Sequence, residues 1–432
     1  MPTPSPDSLA GHKLTFDARG RLESWGSWRD ILALEMNFYQ ECPMERGYPR
    51  FIYTTFLDAQ WNPLIDRTDS IPATQNGMGI ISYLKFFEFD DKRDPRYLNT
   101  ARLMGDYLVQ QTLTPDSGRY PRFTRSTGRR DQFPLLADAG CQGDRPHEIE
   151  PDKGGVAGHA LMLLFAATGV QIYLTQALHN ARVLAANQDD GDRARSPWPF
   201  RADYRTGEPR GPVSGNMTYI LRLYDALLAR GYQEFQSPRD ALWSWIEKFQ
   251  IPSAAGDGNL FAQFFEDHET PSNRTAWAPL NLARYLLEQR SSLHSEWCAK
   301  AGTLLRFVQK NFTHQEFNVT VCHEQDEDKE AWGGINSTYG AVLALYSRAI
   351  ASESLADTAR QALNFTLYSV DACGRPRDLH KSDAPGGWQE DAHTDVIHNF
   401  IDAMTVFPEW ADLPATRSQP RSDIRASGSE CG

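Results

Sequence analysis

The sequence holds few of the signals that assign a protein at a glance, and each shortage excludes something. Cysteine is sparse: Cys42, Cys141, Cys298, Cys322, Cys373 and Cys431 are widely scattered, and none forms a C-x-x-C pair. That spacing indicates neither a zinc site nor a dense disulfide framework. Long apolar runs are missing. No stretch reaches the roughly 18 residues of a membrane span, so no membrane partner is expected. Positive charge is in deficit, with 44 Lys and Arg against 56 Asp and Glu and a formal net charge of −12, which argues against a nucleic-acid partner. The opening Met-Pro-Thr-Pro-Ser-Pro-Asp lacks the basic-then-apolar order of a secretory leader. A reducing, cytoplasmic setting is the resulting expectation. No Walker loop, dinucleotide fingerprint, H-E-x-x-H or G-x-S-x-G occurs, and neither a metal nor a cofactor is expected.

What the chain does have is core material, 41% hydrophobic and 11% aromatic residues. It is arranged in a repeating unit whose clearest copy spans 152–187. The first half is apolar almost all the way round, with small residues at Gly154, Gly155, Ala157 and Gly158. A helix of that kind is enclosed by other helices. Beyond a break at Gly169, the second half places Leu174, Ala177, Leu178, Ala181, Leu184 and Ala185 on one stripe. That is the pattern of a helix with one face to water. The unit reads as a helical hairpin, one inner helix and one outer.

The rest of the chain repeats it. Further inner helices are predicted over 75–90, 214–230, 273–288, 332–349 and about 390–405. Outer helices are predicted over 96–111, 238–249, 293–310 and 355–368, and a helix over 28–41 closes the ring beside the last inner one. The expected fold is all-α, an (α/α)6 toroid of six inner and six outer helices in alternation, occupying 25–412. An N-terminal extension (1–24) and a polar tail (413–432) flank it. Inner-to-outer turns are short and outer-to-inner loops are long, so every long loop falls on one rim, at the N-terminal ends of the inner helices. Long loops without regular structure of their own are where function concentrates.

Helix starts bring Gln75, Asn76, Asp152, Asn216, Asn273, Arg274, Trp332 and Asn336 to that mouth. Loops add Trp198, Arg201, Glu266, Asp267, His268 and Trp388. Amides, carboxylates, guanidiniums and indoles suit a sugar: flat rings face its apolar face, and planar polar groups take its hydroxyls. Arginines and the positive ends of helices favour a carboxylate on the ligand, so the expected partner is an acidic oligosaccharide. Plainer roles stand beside these. Asn216, Asn273 and Asp152 also suit helix caps. His159, Tyr219 and Tyr339 suit core packing, and the acidic run 324–330 suits a solvated surface.

The hairpin rhythm, with the phrases Asp94-Pro-Arg-Tyr-Leu98, Gly77-Met-Gly79 and Trp332-Gly-Gly-Ile-Asn-Ser-Thr-Tyr339, resembles the (α/α)6-barrel group of carbohydrate enzymes over about 28–405. That group includes unsaturated glucuronyl hydrolases and other six-hairpin glycosidases, N-acylglucosamine 2-epimerases and toroidal polysaccharide lyases. The resemblance implies a carbohydrate-active enzyme and three candidate chemistries. A hydrolase needs two carboxyl groups across a glycosidic bond, and Asp152 with Glu266 or Asp267 is the best pair. A uronate lyase would use Asn216, His268, Tyr339 and Arg274 for neutralisation and proton transfer. An epimerase needs facing bases, commonly histidines, which points to His268, His323 or His393. The expectation is an exo-acting glycoside hydrolase of uronic-acid-containing oligosaccharides. A non-enzymatic helical scaffold is the reading from outside enzymology.

Overall fold

In the computed structural model the alternation of wholly apolar and one-striped segments becomes twelve helices of ten or more residues among the described residues. Those residues are 8–9, 11–41, 44–45, 48–49, 56–57, 72–126, 144–145, 147–264, 270, 272–289, 296–377, 388–389 and 393–413; for Ser8, 44–45, 48–49, 56–57, Pro72, 388–389 and His393 only the backbone is described. The inner helices are α2 (Pro72–Phe89), α4 (Pro151–Thr168), α6 (Thr218–Leu228), α8 (Trp277–Gln289), α10 (Gly333–Ile350) and α12 (His393–Val406). The outer ones are α1 (Trp28–Glu41), α3 (Pro95–Gln110), α5 (Gln171–Ala186), α7 (Gln236–Trp245), α9 (Trp297–Asn311) and α11 (Glu353–Leu367). Helix α7 runs on through a π turn at Ile246–Gln250 to Ser253.

Each inner helix packs against the next in the order α2, α4, α6, α8, α10, α12, and α12 returns to α2, so the ring is closed. Small residues allow this. A Cβ on Gly155 would lie 2.6 Å from Ile220 Cγ1 and one on Gly158 2.6 Å from Leu223 Cδ2, so α4 and α6 meet at backbone distance. Helix α1 completes the outer layer, with the Trp28 ring 4.8 Å from Phe400 of α12. The short turns are chemically specified. Asp94 accepts from the Arg96 amide with Pro95 in the first turn of α3, and Gly169 ends α4 in the left-handed conformation at φ 70°.

The long loops do gather on one rim, where they are stitched to one another. Glu148–Ile149 pairs with Arg201–Asp203, which pairs with Pro209–Arg210. Ala262 bridges Arg274, Thr275 bridges Gln325, and Trp388–Gln389 pairs with Phe56–Leu57. Two inner helices start later than expected, because residues 214–217 and 273–276 belong to this rim layer. No described helix is long and apolar enough to cross a membrane. Cys298 and Cys322 are free, and Cys373 is disulfide-bonded. The bond counts against the reducing setting expected from cysteine spacing. Folding joins residues that spacing cannot relate.

Candidate functional site

At the rim, the first turn of α4 carries a sealed ionic cluster. Arg201 Nε lies 2.8 Å from Asp144 Oδ1 and 3.1 Å from Glu150 Oε1. Lys153 Nζ lies 4.0 Å from Glu150 Oε2 and 3.8 Å from Asp152 Oδ2. The same ammonium donates to the Phe264 carbonyl at 2.9 Å and sits 3.8 Å above the Phe264 ring. All five charged residues are buried. Asp152 is thus a first-turn carboxylate inside an ion network, not a helix cap; its intended partners Glu266 and Asp267, with His268, lie outside the described residues.

Most of the other rim residues picked from sequence are likewise held by the protein. Arg274 makes a two-pronged pair with Asp326 (2.8 and 3.0 Å) and donates to the Asp257 carbonyl. Arg201 and Arg274 therefore do not present free guanidiniums to an acidic ligand. Asn273 donates to Gln325 and accepts from the Glu327 amide, joining two loops instead of capping a helix. Trp198 is a correction: it is fully buried beneath the rim, its indole donating to the Leu184 carbonyl at 3.1 Å, and offers no face to a sugar. Asn336 and Tyr339 are corrections too. They turn toward the outer layer, Asn336 donating to Ala362 and Thr366 of α11 while accepting from the Cys322 amide, and Tyr339 accepting from Gln309 of α9. A start-of-helix position does not say which way a side chain points. Gln75 and Asn76 are buried in the first turn of α2. Trp332 is half-buried at the start of α10 and donates to Asp328 at 3.0 Å; the Trp388 side chain lies outside the description. The acidic run is no mere solvated surface, since Glu324, Asp326 and Asp328 bind Trp277, Arg274 and Trp332.

His323 meets His314 in the outer layer, not a histidine across the lumen. It is buried in the outer layer against Phe312, between Lys329 and His314, and burial followed by those two neighbours lowers its pKa to about 4. His393 is described by its backbone alone. Among the rim picks, Asn216 keeps an open atom: it is buried, and its Oδ1 meets no protein donor.

Below the rim, all six inner helices send polar side chains into the ring. Lys85 (α2) pairs with Asp402 (α12). Arg222 (α6) meets Glu288 (α8) at 2.6 Å. Arg284 (α8) donates to Asn399 (α12) and lies 3.6 Å from Asp402. Asn399 in turn donates to Ser337 and Thr338 of α10 at 2.9 Å each. Burial pushes the Glu288 carboxyl up, but Arg222, Lys85 and Arg284 together carry it below its usual range. His159 (α4) stands in this layer with its ring 5.9 Å from that of Tyr219. Burial, then Arg222 and Lys85, lowers its pKa to about 3, so it is neutral at physiological pH. Its Nδ1 is buried with no hydrogen-bond partner among the described residues, so it is not the satisfied core histidine expected. His398 (α12) is held neutral by burial and by Arg284, Lys85 and Arg222. Its Nδ1 lies 2.9 Å from Ser82 Oγ of α2, and Nε2 has no protein partner.

Sequence reasoning missed most of this layer. The available signal was a polar residue every third or fourth position on an otherwise apolar helix, as in Ser82 and Lys85, Arg284 and Glu288, or Asp395, His398 and Asp402.

No protein-family model matches the chain and no curated relative does. Solved structures match across most of it. A cellobiose 2-epimerase from Spirochaeta thermophila superposes with a TM-score of 0.62 at 13% identity, covering 88% of this chain and 96% of its own. A D-mannose isomerase gives 0.63 at 11% identity over 87% and 96%. An unsaturated glucuronyl hydrolase specific for heparin gives 0.55 at 10% identity over 90% and 98%. The chain has the (α/α)6 fold of the six-hairpin group, and these neighbours are carbohydrate-processing enzymes. At such identities the likeness establishes the architecture and leaves the activity to the residues.

Proposed function

We propose that the protein is a carbohydrate-active enzyme that moves a proton beside the carbonyl carbon of a small sugar, as an epimerase or isomerase. The observation that carries this is the pair of neutral imidazoles, His159 and His398, each with a ring nitrogen that no described residue hydrogen-bonds. They belong to the two inner helices flanking α2 and share the cations Lys85 and Arg222 as neighbours. One imidazole lifts the proton from the carbon beside the carbonyl. The guanidinium of Arg284, whose Nε is buried without a protein partner, stabilises the enolate oxygen that forms. The imidazolium so formed returns that proton to the neighbouring carbon while the enediol hydroxyl hydrogen passes to the former carbonyl oxygen, giving the isomer, or to the other face of the same carbon, giving the epimer. The committed arginines at the rim favour a neutral sugar over a uronate.

A second reading, glycoside hydrolysis, is favoured by two carboxylates, Glu150 and Asp152, that lie 4.0 and 3.8 Å from the same Lys153 Nζ. One experiment separates the two. Neutral aldoses, ketoses and disaccharides, with uronate oligosaccharides beside them, are incubated with the protein in heavy water. Solvent deuterium at the carbon next to the carbonyl, lost in His398→Asn, is the expected result. New reducing ends without deuterium incorporation would overturn it in favour of hydrolysis, and a conjugated double bond in favour of elimination.

A further inference from the structure

We propose that Ser82 is a positioning residue that fixes which nitrogen of His398 carries its proton, leaving Nε2 with the lone pair. The inference rests on the reading of His398 as a proton-transfer group and deepens it.

A count of hydrogens decides the tautomer. Ser82 Oγ makes two contacts, one to the Thr394 carbonyl and one of 2.9 Å to His398 Nδ1. A carbonyl oxygen can only accept, so the contact to Thr394 requires the serine proton. A hydroxyl has one proton, and with it committed the oxygen can only accept from the imidazole. His398 must then carry its hydrogen on Nδ1. The alternative, with the serine proton turned toward Nδ1, sets two lone-pair oxygens against each other at short range in a buried site. The ring is neutral, so the remaining nitrogen, Nε2, is an unprotonated base.

The fold makes the device. Thr394 sits in the first turn of α12, one helical turn before His398, so its carbonyl and the imidazole lie on the same side of the helix. Ser82 reaches both from α2, which packs against α12 where the last inner helix meets the first. All three residues are buried, which keeps water from competing for the serine proton. The closure of the toroid thereby sets the tautomer.

The test reads the proton directly. Nitrogen-15 correlation spectra of the full-length protein, with His398→Gln to assign the signal, report which ring nitrogen is protonated and need no substrate. The wild type is expected to show the form protonated at Nδ1. Ser82→Ala should shift the ring toward protonation at Nε2, while Ser82→Thr, which keeps the hydroxyl, should retain the wild-type pattern. On a sugar that is turned over, Ser82→Ala should lose on the order of tenfold to a thousandfold in kcat with KM little changed, and Ser82→Thr should recover most of it. A wild-type ring protonated at Nε2, or a tautomer indifferent to Ser82→Ala, overturns the proposal. A correct tautomer in a protein that exchanges no sugar hydrogen leaves the positioning intact and sinks the epimerase reading instead.

Discussion

Rim and lumen are both polar, yet they differ in what their polar groups touch. At the rim, Arg201, Lys153, Arg274, Asn273 and Trp332 are bound to the protein's own carboxylates, carbonyls and amides. In the lumen, His159, His398 and Arg284 keep nitrogens that no protein group satisfies. A buried polar atom without a partner costs about 1–3 kcal/mol, so a fold retains one where something else uses it. Asn216 apart, the described rim polarity is stitching that joins loops over one end of a closed ring, and the lumen polarity is what remains to act on a ligand.

The largest effect expected from this contrast is on stability. Arg201→Ala removes the cation between Asp144 and Glu150 in a fully buried cluster. Breaking such a pair from one side costs about 3–5 kcal/mol, because the carboxylates stay buried without their counter-charge. Denaturant unfolding should show that loss while the folded fraction keeps its turnover per site. His398→Asn should behave in the opposite way, with near-wild-type unfolding and turnover abolished. If Arg201→Ala unfolds like the wild type, the rim is not structural and the division fails.

A pH experiment sharpens the lumen half. His159 is held below its ordinary 6.5, at about 3, chiefly by burial and then by Arg222 and Lys85. Between those two values the unfolded chain binds a proton that the folded chain refuses, so stability is full above pH 6.5 and falls as pH drops toward 3. The slope from this one group reaches about 1.4 kcal/mol per pH unit. His159→Gln should flatten that limb of the stability curve, measured by urea unfolding at successive pH values. An unchanged limb would mean that the imidazole is not sealed among cations.

How much of this was legible follows the same division. The hairpin rhythm is written in local periodicity. The wholly apolar face of 152–168 and the one stripe of 174–185 became α4 and α5, and the asymmetry of loop lengths placed the rim. Local pattern stops at the direction of a side chain. Asn336 and Tyr339 lie three residues apart on one helical face, and only the packed ring reveals that this face meets α9 and α11. Trp198 reads as a sugar platform in a loop and is a buried plug in the fold. His398, three residues after Asp395 and four before Asp402, was visible as a polar stripe on an inner helix. A polar stripe in mid-helix is equally the mark of a structural network, so it stands out less than helix starts, where amide ends and long loops concentrate.

The smallest expected effect tests the reading most cheaply. By sequence Arg274 suits a substrate carboxylate, and in the structure its guanidinium is spent on Asp326 and the Asp257 carbonyl. The pair is partly exposed, with 22% and 27% of the two side chains accessible, so solvent screens it and its contribution is about 1 kcal/mol. Arg274→Ala should therefore lower stability by about that amount and leave calorimetric sugar affinity within about twofold of wild type. The same variant separates neutral from acidic ligands. If it abolishes binding of a uronate oligosaccharide, the guanidinium exchanges Asp326 for the ligand, and the acidic-substrate expectation returns. If affinity for every sugar is untouched, the arginines of the rim belong to the scaffold and ligand recognition moves down to the layer of His159, Arg284 and His398.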